Sequence, residues 1–299
     1  MSAASSRNVA SSMVNKIQMH KTKQAFRAMR KTISQGTSIG FVPTMGALHD
    51  GHLSLIEEAR RKNDIVVASI YVNPTQFGPN EDLDKYPRQL EKDTEVLEQM
   101  GVDHLFCPLE MYGEYHRCFV DPVGFDDLRE GKARPGHFRG VATIVAKLLN
   151  IVQPHKAYFG QKDAAQCVLI KRLVDDLDMD VNINIMDTVR ESDGLAMSSR
   201  NAYLTEEERK KAVVLYQSLR AGKEIYEASF AAELPIDASI IRDTVLRILE
   251  SEPLVTEIEY VAVDSKETMA ELKEVDTDGA IVSIACKIGN VRLIDNFVL

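Results

Sequence analysis

The stretch FVPTMGALHDGHLSLIEEAR, residues 41–60, decides how the first half of this chain folds. An apolar run ends at its first two residues, and a turn-rich segment with Pro43, Gly46 and Gly51 follows. Leu53, Ile56 and Ala59 then recur three residues apart, which is helical spacing. The order predicts a strand, a loop and a helix, with two histidines where the helix starts.

Those two histidines, His49 and His52, have three interpretations on spacing alone. A helix N-terminus offers unpaired N–H groups and the positive end of a dipole, so both imidazoles can contact a phosphate chain there. An exposed turn without a role is the second interpretation. Half of a zinc site is the third, although zinc pairs on one helix face usually lie four residues apart. An imidazole in solution has a pKa of about 6.5, and we expect the pH profile of activity to show a group near that value, moved upward if phosphates stabilise the imidazolium.

The composition limits the classes of protein. A chain of 299 residues is long enough for about two domains, and the net charge of −9 argues against a general nucleic-acid binder. No apolar run is long enough to span a membrane. The cysteines form no C-x-x-C pair, which favours a reducing compartment and disfavours a zinc ribbon; they are Cys107, Cys118, Cys167 and Cys286.

The N-terminus is compositionally distinct. Residues 1–15 are expected to be a disordered extension, since the first dozen are rich in Ser and Ala. No Asp or Glu occurs in residues 1–49, which resembles a transit peptide weakly. We expect a cytoplasmic protein, with a mitochondrial location as the alternative.

Strand and helix patterns alternate from residue 16 to residue 189. Alternation with long connections predicts an α/β fold: a Rossmann-like, doubly wound parallel sheet with helices on both faces. The loops 43–52, 73–87 and 160–163 each follow a strand, so they are expected at the carboxyl edge, where such sheets bind ligands. Residues 108–138 show little periodicity.

The pattern changes near residue 190. Thr205 and Glu208 form a capping box that predicts one long helix to about Phe230, and a second helix runs from Asp237 to about Glu250. Strands are expected near 256–263, 279–287 and 291–298, with a hairpin turn at Gly289 and Asn290. Residues 190–299 are therefore expected to form a second, smaller α+β domain.

Several polar residues at the expected ligand-binding edge have types suited to a nucleotide. Lys162 can balance phosphate charge, and Asp163 can accept hydrogen bonds from ribose or cap the next helix. The segment MSSR at 197–200 offers hydroxyls and a guanidinium to phosphates, or it is an ordinary polar linker. Gln76 and Gln166 are neutral amides that can hold a carboxylate or a hydroxyl, or they are surface glutamines.

Five segments together resemble the pantoate–β-alanine ligase family of the nucleotidyltransferase superfamily. They occur in the family's order, and the likeness spans roughly residues 16–299, although residues 108–132 match poorly. The segments are PTMGALHDGH at 43–52, YVNPTQF at 71–77, FRGVATIVAKLLNIVQP at 138–154, YFGQKD at 158–163 and TVRESDGLAMSSRN at 188–201.

The resemblance implies a reaction and a set of site residues. The substrates would be ATP, (R)-pantoate and β-alanine, and the products pantothenate, AMP and diphosphate, formed through a pantoyl adenylate. Mg²⁺ would accompany ATP, with no protein ligand assigned, and the protein would be a homodimer. The implied catalytic residues are His52 (the family's proton donor), His49, Lys162, Ser198, Ser199 and Arg200. The implied ATP contacts are Met45, Gly46, Ala47, Leu48, His49, Asp50, Gly51, His52, Gly160, Gln161, Lys162, Asp163, Val189, Met197, Ser198, Ser199 and Arg200. Pro43, Met45, Gln76 and Gln166 would contact pantoate, with Gln76 next to β-alanine.

Two other functions compete with this one. A related adenylyl- or cytidylyltransferase would act on a phosphorylated substrate and need a further basic group for that phosphate. A nucleotide sensor without catalysis would be expected to lack some of His49, His52, Lys162 or the MSSR segment, and all are present.

Overall fold

The computed structural model describes residues 16–79, 81–232 and 234–299. The extension expected at residues 1–15 lies outside this part of the chain. Within it, no helix is long and apolar enough to cross a membrane. All four cysteines are free.

A six-stranded parallel sheet forms the larger part of the molecule, as the alternating pattern predicted. Its strands are β1 (Gln18–His20), β2 (Ile39–Thr44), β3 (Ile65–Ile70), β4 (His104–Phe106), β5 (Lys156–Gly160) and β6 (Asn182–Met186). Its helices are α1 (Lys23–Arg30), α2 (Asp50–Lys62), α3 (Leu90–Gln99), α4 (Arg129–Ala133), α5 (His137–Val152) and α6 (Ala164–Asp176).

Helices cover both faces of this sheet. On one face, α2 and α3 pack against the strands through Ile56 and Leu97, which are fully buried. On the other face, α1, α5 and α6 bury a larger apolar cluster that includes Phe26, Phe138 and Ile170. Helix α4 lies at the edge of this layer, and the weak periodicity of residues 108–138 did not predict it.

The strand order β1-β4-β3-β2-β5-β6 places a topological switch point between β2 and β5. The two strands pair only at Gly40 with Lys156 and Phe41 with Ala157, so a crevice opens toward their carboxyl ends. Ligands bind at such a crevice in open parallel sheets. The loop with His49 and His52 follows β2, and the loop with Lys162 follows β5, so the two loops flank it.

The C-terminal part forms a smaller antiparallel sheet covered by helices. Its elements are α7 (Glu206–Lys211), α8 (Val214–Ala231), β7 (Ile236–Asp237), α9 (Ala238–Glu250), β8 (Val255–Asp264), β9 (Glu274–Val275), β10 (Ile281–Ile288) and β11 (Val291–Val298). The three long strands have the order β11-β10-β8. The predicted α+β character, the three long strands and the hairpin at Gly289 and Asn290 are confirmed. The predicted domain boundary near residue 189 lies between β6 and α7 and stays a prediction.

The single long helix predicted from Thr205 to Phe230 is wrong. The Thr205–Glu208 capping box is present, but α7 ends at Lys211 and α8 begins at Val214. The N–H of Leu215 donates to the carbonyl of Ala212, three residues back, which interrupts the helical hydrogen-bond pattern. The short pairing of β7 with β9 has no counterpart in the sequence prediction.

Candidate active site

A cavity of about 270 Å³ lies between the carboxyl edge of the parallel sheet and the C-terminal sheet. The three loops predicted at this edge all contribute to its walls, through His52, Gln76 and Lys162 among others. The predicted site residues that line it are Pro43, Met45, His49, Gly51, His52, Gln76, Gly160, Lys162, Asp163, Gln166, Val189, Met197, Ser198, Ser199 and Arg200.

The two histidines cap helix α2 with their own rings. His49 is the N-cap residue, and its Nδ1 accepts a hydrogen bond from the N–H of Gly51 at 3.2 Å. Nδ1 of His52 accepts one from the N–H of His49 at 3.4 Å. Because each Nδ1 is an acceptor, the neutral rings carry their proton on Nε2. Each histidine therefore presents an Nε2–H donor from the same helix end.

Gly51 packs directly against the ring of His49. A Cβ on Gly51 would lie 2.9 Å from the ring of His49, closer than real side-chain contacts allow. The two ring centroids are 4.2 Å apart, so the imidazoles pack against each other at the helix start.

Both histidines have a lowered pKa in the free protein, so neither is the group expected near 6.5 until phosphates bind. Burial, reinforced by the neighbouring His49, lowers the pKa of His52 to about 3. Burial and the positive charge of Lys162 lower the pKa of His49 as well. In the free protein at neutral pH, the pair thus offers hydrogen-bond donors and no positive charge.

The loop before the histidines is held by a residue that the sequence did not single out. Asp93 on α3 is buried, and its carboxylate accepts hydrogen bonds from the N–H groups of Ala47 and Leu48 at 2.9 and 3.0 Å. Ala47 adopts a left-handed backbone with φ of 52°. This turn directs the backbone toward Asp93, so Gly46, Ala47 and Leu48 do not line the cavity.

The loop after β5 is fastened to the C-terminal sheet. Nδ2 of Asn296 donates to the carbonyls of Gln161 and Lys162 at 3.0 and 2.8 Å, and Gln161 donates back to Asn296 at 3.2 Å. Gln161 is thereby turned from the cavity, whereas Nζ of Lys162 lies 3.8 Å from the carboxylate of Asp163. Asp163 holds the N-cap position of α6, yet its side chain makes no capping bond and pairs with Lys162 instead.

The MSSR segment contacts the loop that follows β3. Arg200 donates from Nε and Nη2 to the two oxygens of Asp82 at 3.0 and 2.9 Å. The hydroxyl of Ser199 lies 3.4 Å from that of Tyr86. A phosphate that bound Arg200 would use Nη1 or displace Asp82. Asp50, predicted beside the histidines, is exposed on α2 and does not line the cavity.

The two glutamines line the cavity in different ways. Oε1 of Gln76 accepts a hydrogen bond from Asn73, and the carbonyl of Gln76 accepts one from Arg134. Gln166 lies in the first turn of α6, and no hydrogen bond to its side chain occurs within the described residues. Its amide is therefore available to a ligand.

A buried ionic cluster joins helix α4 of the larger part to the C-terminal sheet. No pattern in the sequence indicated this cluster. Glu130 on α4 forms two hydrogen bonds with Arg292 on β11, at 3.1 and 2.8 Å, and accepts another from the hydroxyl of Tyr260. Arg292 lowers the pKa of Glu130 to about 2, against the effect of burial. Arg134 joins the cluster through Glu130, which lies 3.6 Å from its Nη1, and it also pairs with Glu81 at 2.6 Å.

Comparisons with known proteins agree with these features. The family model described as pantoate-beta-alanine ligase matches residues 17–298. A relative named pantothenate synthetase from Fervidobacterium nodosum is 50% identical over 275 residues, covering 91% of this chain and 95% of the relative. One of the same name from Thermodesulfovibrio yellowstonii is 50% identical over 267 residues, covering 89% and 93%.

Solved structures show the same fold. The crystal structure of pantothenate synthetase from Thermus thermophilus matches with a TM-score of 0.87 at 43% identity, covering 94% of this chain and 99% of that one. The ligase of Francisella tularensis, complexed with beta-gamma ATP and β-alanine, matches with a TM-score of 0.75 at 35% identity, covering 94% and 97%. This chain therefore belongs to the pantoate–β-alanine ligase family.

Proposed function

We propose that this protein condenses (R)-pantoate with β-alanine, using ATP, and releases pantothenate, AMP and diphosphate. The observation that carries the proposal is the position of His49, His52 and Lys162, which flank the switch-point crevice within one cavity. A carboxylate becomes a good acyl donor only when its oxygen leaves readily, and AMP is such a leaving group. Pantoate therefore attacks the α-phosphate of ATP first, and β-alanine attacks the adenylate second.

The proposed phosphate contacts suit the first step. The Nε2–H groups of His49 and His52 donate to the triphosphate from the end of α2, and Lys162 stabilises the charge that develops at the α-phosphate. As neutral rings, the histidines act in the free protein as hydrogen-bond donors, and bound phosphates would raise the pKa of both. Ser198, Ser199 and Arg200 contact the phosphates from the opposite wall, and the carboxylate of Asp163, which makes no capping bond, suits the ribose.

The proposed pantoate site is built from neutral groups. Gln76 and Gln166 hold the carboxylate and hydroxyls through amides, which cannot compete as nucleophiles for the adenylate. Pro43 and Met45 supply apolar walls for the dimethyl carbon of pantoate. Arg134, the cation beside Gln76, already pairs with Glu81. This neutral wall favours pantoate over the phosphorylated substrate of a related nucleotidyltransferase.

Mg²⁺ fits this site as a companion of ATP. The described residues hold no group of three or more His, Cys, Asp or Glu side chains that could bind a metal ion by themselves. Mg²⁺ commonly keeps several waters and binds chiefly through phosphates, which suits a cavity whose carboxylates do not cluster into a metal site among the described residues. When bound, the ion would neutralise the diphosphate as it leaves.

We also propose a homodimer in the cytoplasm. Leu109, Tyr115 and Val123 are 83, 81 and 98% exposed within one segment, which supports a contact between copies of the larger domain. The four free cysteines support a reducing compartment. Light scattering on the purified protein tests the dimer: a mass near 67 kDa, twice the 33.4 kDa chain, is expected.

The test of the reaction is a product analysis with ATP, pantoate and Mg²⁺, with and without β-alanine. AMP, diphosphate and pantothenate should appear in equal amounts when β-alanine is present. With β-alanine present, a final product that retains the AMP moiety would favour a nucleotidyltransferase, and nucleotide binding with no turnover would favour a sensor.

A further inference from the structure

Asn73, in the loop after β3, has a side-chain amide whose two ends can be told apart. The residue is 1% exposed and lines the cavity beside Gln76. Its Nδ2 lies 3.2 Å from the backbone carbonyl oxygen of Gly140 in α5. A carbonyl oxygen only accepts hydrogen bonds, so the NH2 end of the Asn73 amide faces Gly140 and its oxygen faces the other way.

Two hydroxyl groups hold the oxygen of this amide. Oδ1 of Asn73 accepts hydrogen bonds from the hydroxyls of Tyr112 and Thr75, each at 3.0 Å. The two hydroxyls are also 3.0 Å from each other. Burial raises the pKa of Tyr112, so its phenol keeps its proton at neutral pH and remains a donor. The amide of Asn73 is therefore fixed from both ends.

The orientation of Asn73 determines which end of the Gln76 amide faces the cavity. The second N–H of Asn73 Nδ2 donates to Oε1 of Gln76 at 3.0 Å. Oε1 is thereby engaged, and Nε2 of Gln76 makes no hydrogen bond within the part of the chain that the structure describes. A glutamine amide without such a neighbour could present either its oxygen or its NH2 group. Here Gln76 presents N–H donors to the cavity.

Tyr112 reaches this chain of contacts from outside the cavity wall. It lies in the segment 108–132, to which no site residue was assigned. Its ring is held on two sides, by Nζ of Lys147 at 5.1 Å from the ring centroid and by the ring of His116, which packs edge-on at 4.9 Å. Because the ring is held, its hydroxyl has a defined position against Asn73.

We propose that Tyr112 and Thr75 are positioning residues for pantoate. Their hydroxyls fix the amide of Asn73, and Asn73 turns Gln76 so that its Nε2–H group donates to an oxygen of pantoate. A carboxylate oxygen only accepts hydrogen bonds, so a glutamine that presented its own oxygen would repel it. The inference rests on the proposed function, and Tyr112 acts through Gln76 without touching the substrate.

The first test removes the hydroxyls and keeps the shapes. Tyr112→Phe removes one donor to Asn73, and Tyr112→Phe combined with Thr75→Val removes both. The KM for pantoate should rise about 3-fold in the single variant and roughly 10-fold in the double variant. The KM for ATP should stay within about 2-fold, which also shows that the variants fold. Tyr115→Phe, at an 81% exposed position of the same segment, is the matched control and should change neither KM.

Gln76→Ala separates positioning from a general structural role. If the hydroxyls act through Gln76, removing both of them should raise the KM for pantoate by less than about 2-fold in a protein that already carries Gln76→Ala. Residues that act through one shared contact are non-additive in this way, whereas independent effects add. An equal rise with and without Gln76→Ala would overturn the positioning role.

Binding without turnover separates the positioning role from the proposed function. Pantoate is titrated by calorimetry into the protein with α,β-methylene ATP, which cannot release diphosphate, and the Kd for pantoate should rise in the same order as the KM. An unchanged Kd in the variant that lacks both hydroxyls would overturn the positioning role and leave the proposed reaction standing. A raised Kd in that variant, with no AMP release from ATP by the unsubstituted protein, would overturn the reaction and leave the positioning role standing.

Discussion

Asp264, at the end of β8, is 4% exposed, and its carboxylate has no hydrogen-bond or ion-pair partner among the described residues. Replacing Asp264 by Asn should make the free protein more stable, because a buried unpaired carboxylate opposes folding when it is ionised. Its pKa is about 6 in the folded protein and 3.8 in the reference state, so folding binds a proton between these values. The stability of the unsubstituted protein therefore falls as pH rises through this window. At 1.36 kcal/mol per pKa unit, the ionised group costs about 3 kcal/mol at a pH near 7.5 and about 1 kcal/mol at a pH near 4.5.

The assay is urea unfolding followed by circular dichroism at a series of pH values between those two. The free energy of unfolding of Asp264→Asn, minus that of the unsubstituted protein, should rise by about 2 kcal/mol across the series. Asp278→Asn, at an exposed position of the same sheet domain, is the matched control. A flat difference for Asp264→Asn would refute the view that this carboxylate is buried, unpaired and ionised at neutral pH.

The remaining predictions concern the cavity and the interdomain contact. Lys162→Ala should lower kcat for adenylation by roughly 10² to 10³ without unfolding the protein, measured by diphosphate release, and near-normal turnover would remove its assigned role. His52→Ala should nearly abolish adenylation yet spare the reaction of synthetic pantoyl adenylate. The pKa of His52 is about 3 in the free protein, so titration of His52 should produce no step near pH 6.5 in kcat/KM for ATP. Gln76→Ala should raise the KM for pantoate more than that for ATP, whereas equal effects would indicate a generally loosened site. Arg292→Met should lower the free energy of unfolding by about 3 to 5 kcal/mol, because it leaves Glu130 buried without its main partner, and a loss below about 1 kcal/mol in urea would contradict this.

The sequence was most informative where a residue's role depends on local backbone. His49 and His52 could be placed at a helix start because a turn and an apolar periodicity adjoin them, and Lys162 because it follows a short apolar strand. The prediction that His49, His52 and Lys162 lie close together followed from one rule, that the carboxyl ends of parallel strands meet at one edge of the sheet. These placements do not depend on residues in the C-terminal part of the chain.

Properties that depend on distant partners could not be predicted. The lowered pKa of His52 comes from burial, which the complete fold determines. Asn296 bonds the loop after β5 from more than 130 residues away, and Glu130 meets Arg292 across 162 residues. Asp264 is a single acidic residue at the end of a strand, and such a residue is ordinarily expected to be exposed to solvent. The break between α7 and α8 was missed because Ala212 and Val213 keep right-handed backbone and no Gly or Pro marks the site.

The central claim, that pantoate is activated as an acyl adenylate, is tested most directly by the fate of its carboxylate oxygen. Pantoate labelled with ¹⁸O in its carboxylate is incubated with ATP, Mg²⁺, β-alanine and the protein, and the products are analysed by mass spectrometry. Attack on the α-phosphate followed by amine attack on the acyl carbon transfers one labelled oxygen to AMP in each turnover. The account predicts singly labelled AMP and unlabelled diphosphate, whereas unlabelled AMP, or ADP with labelled phosphate, would contradict it.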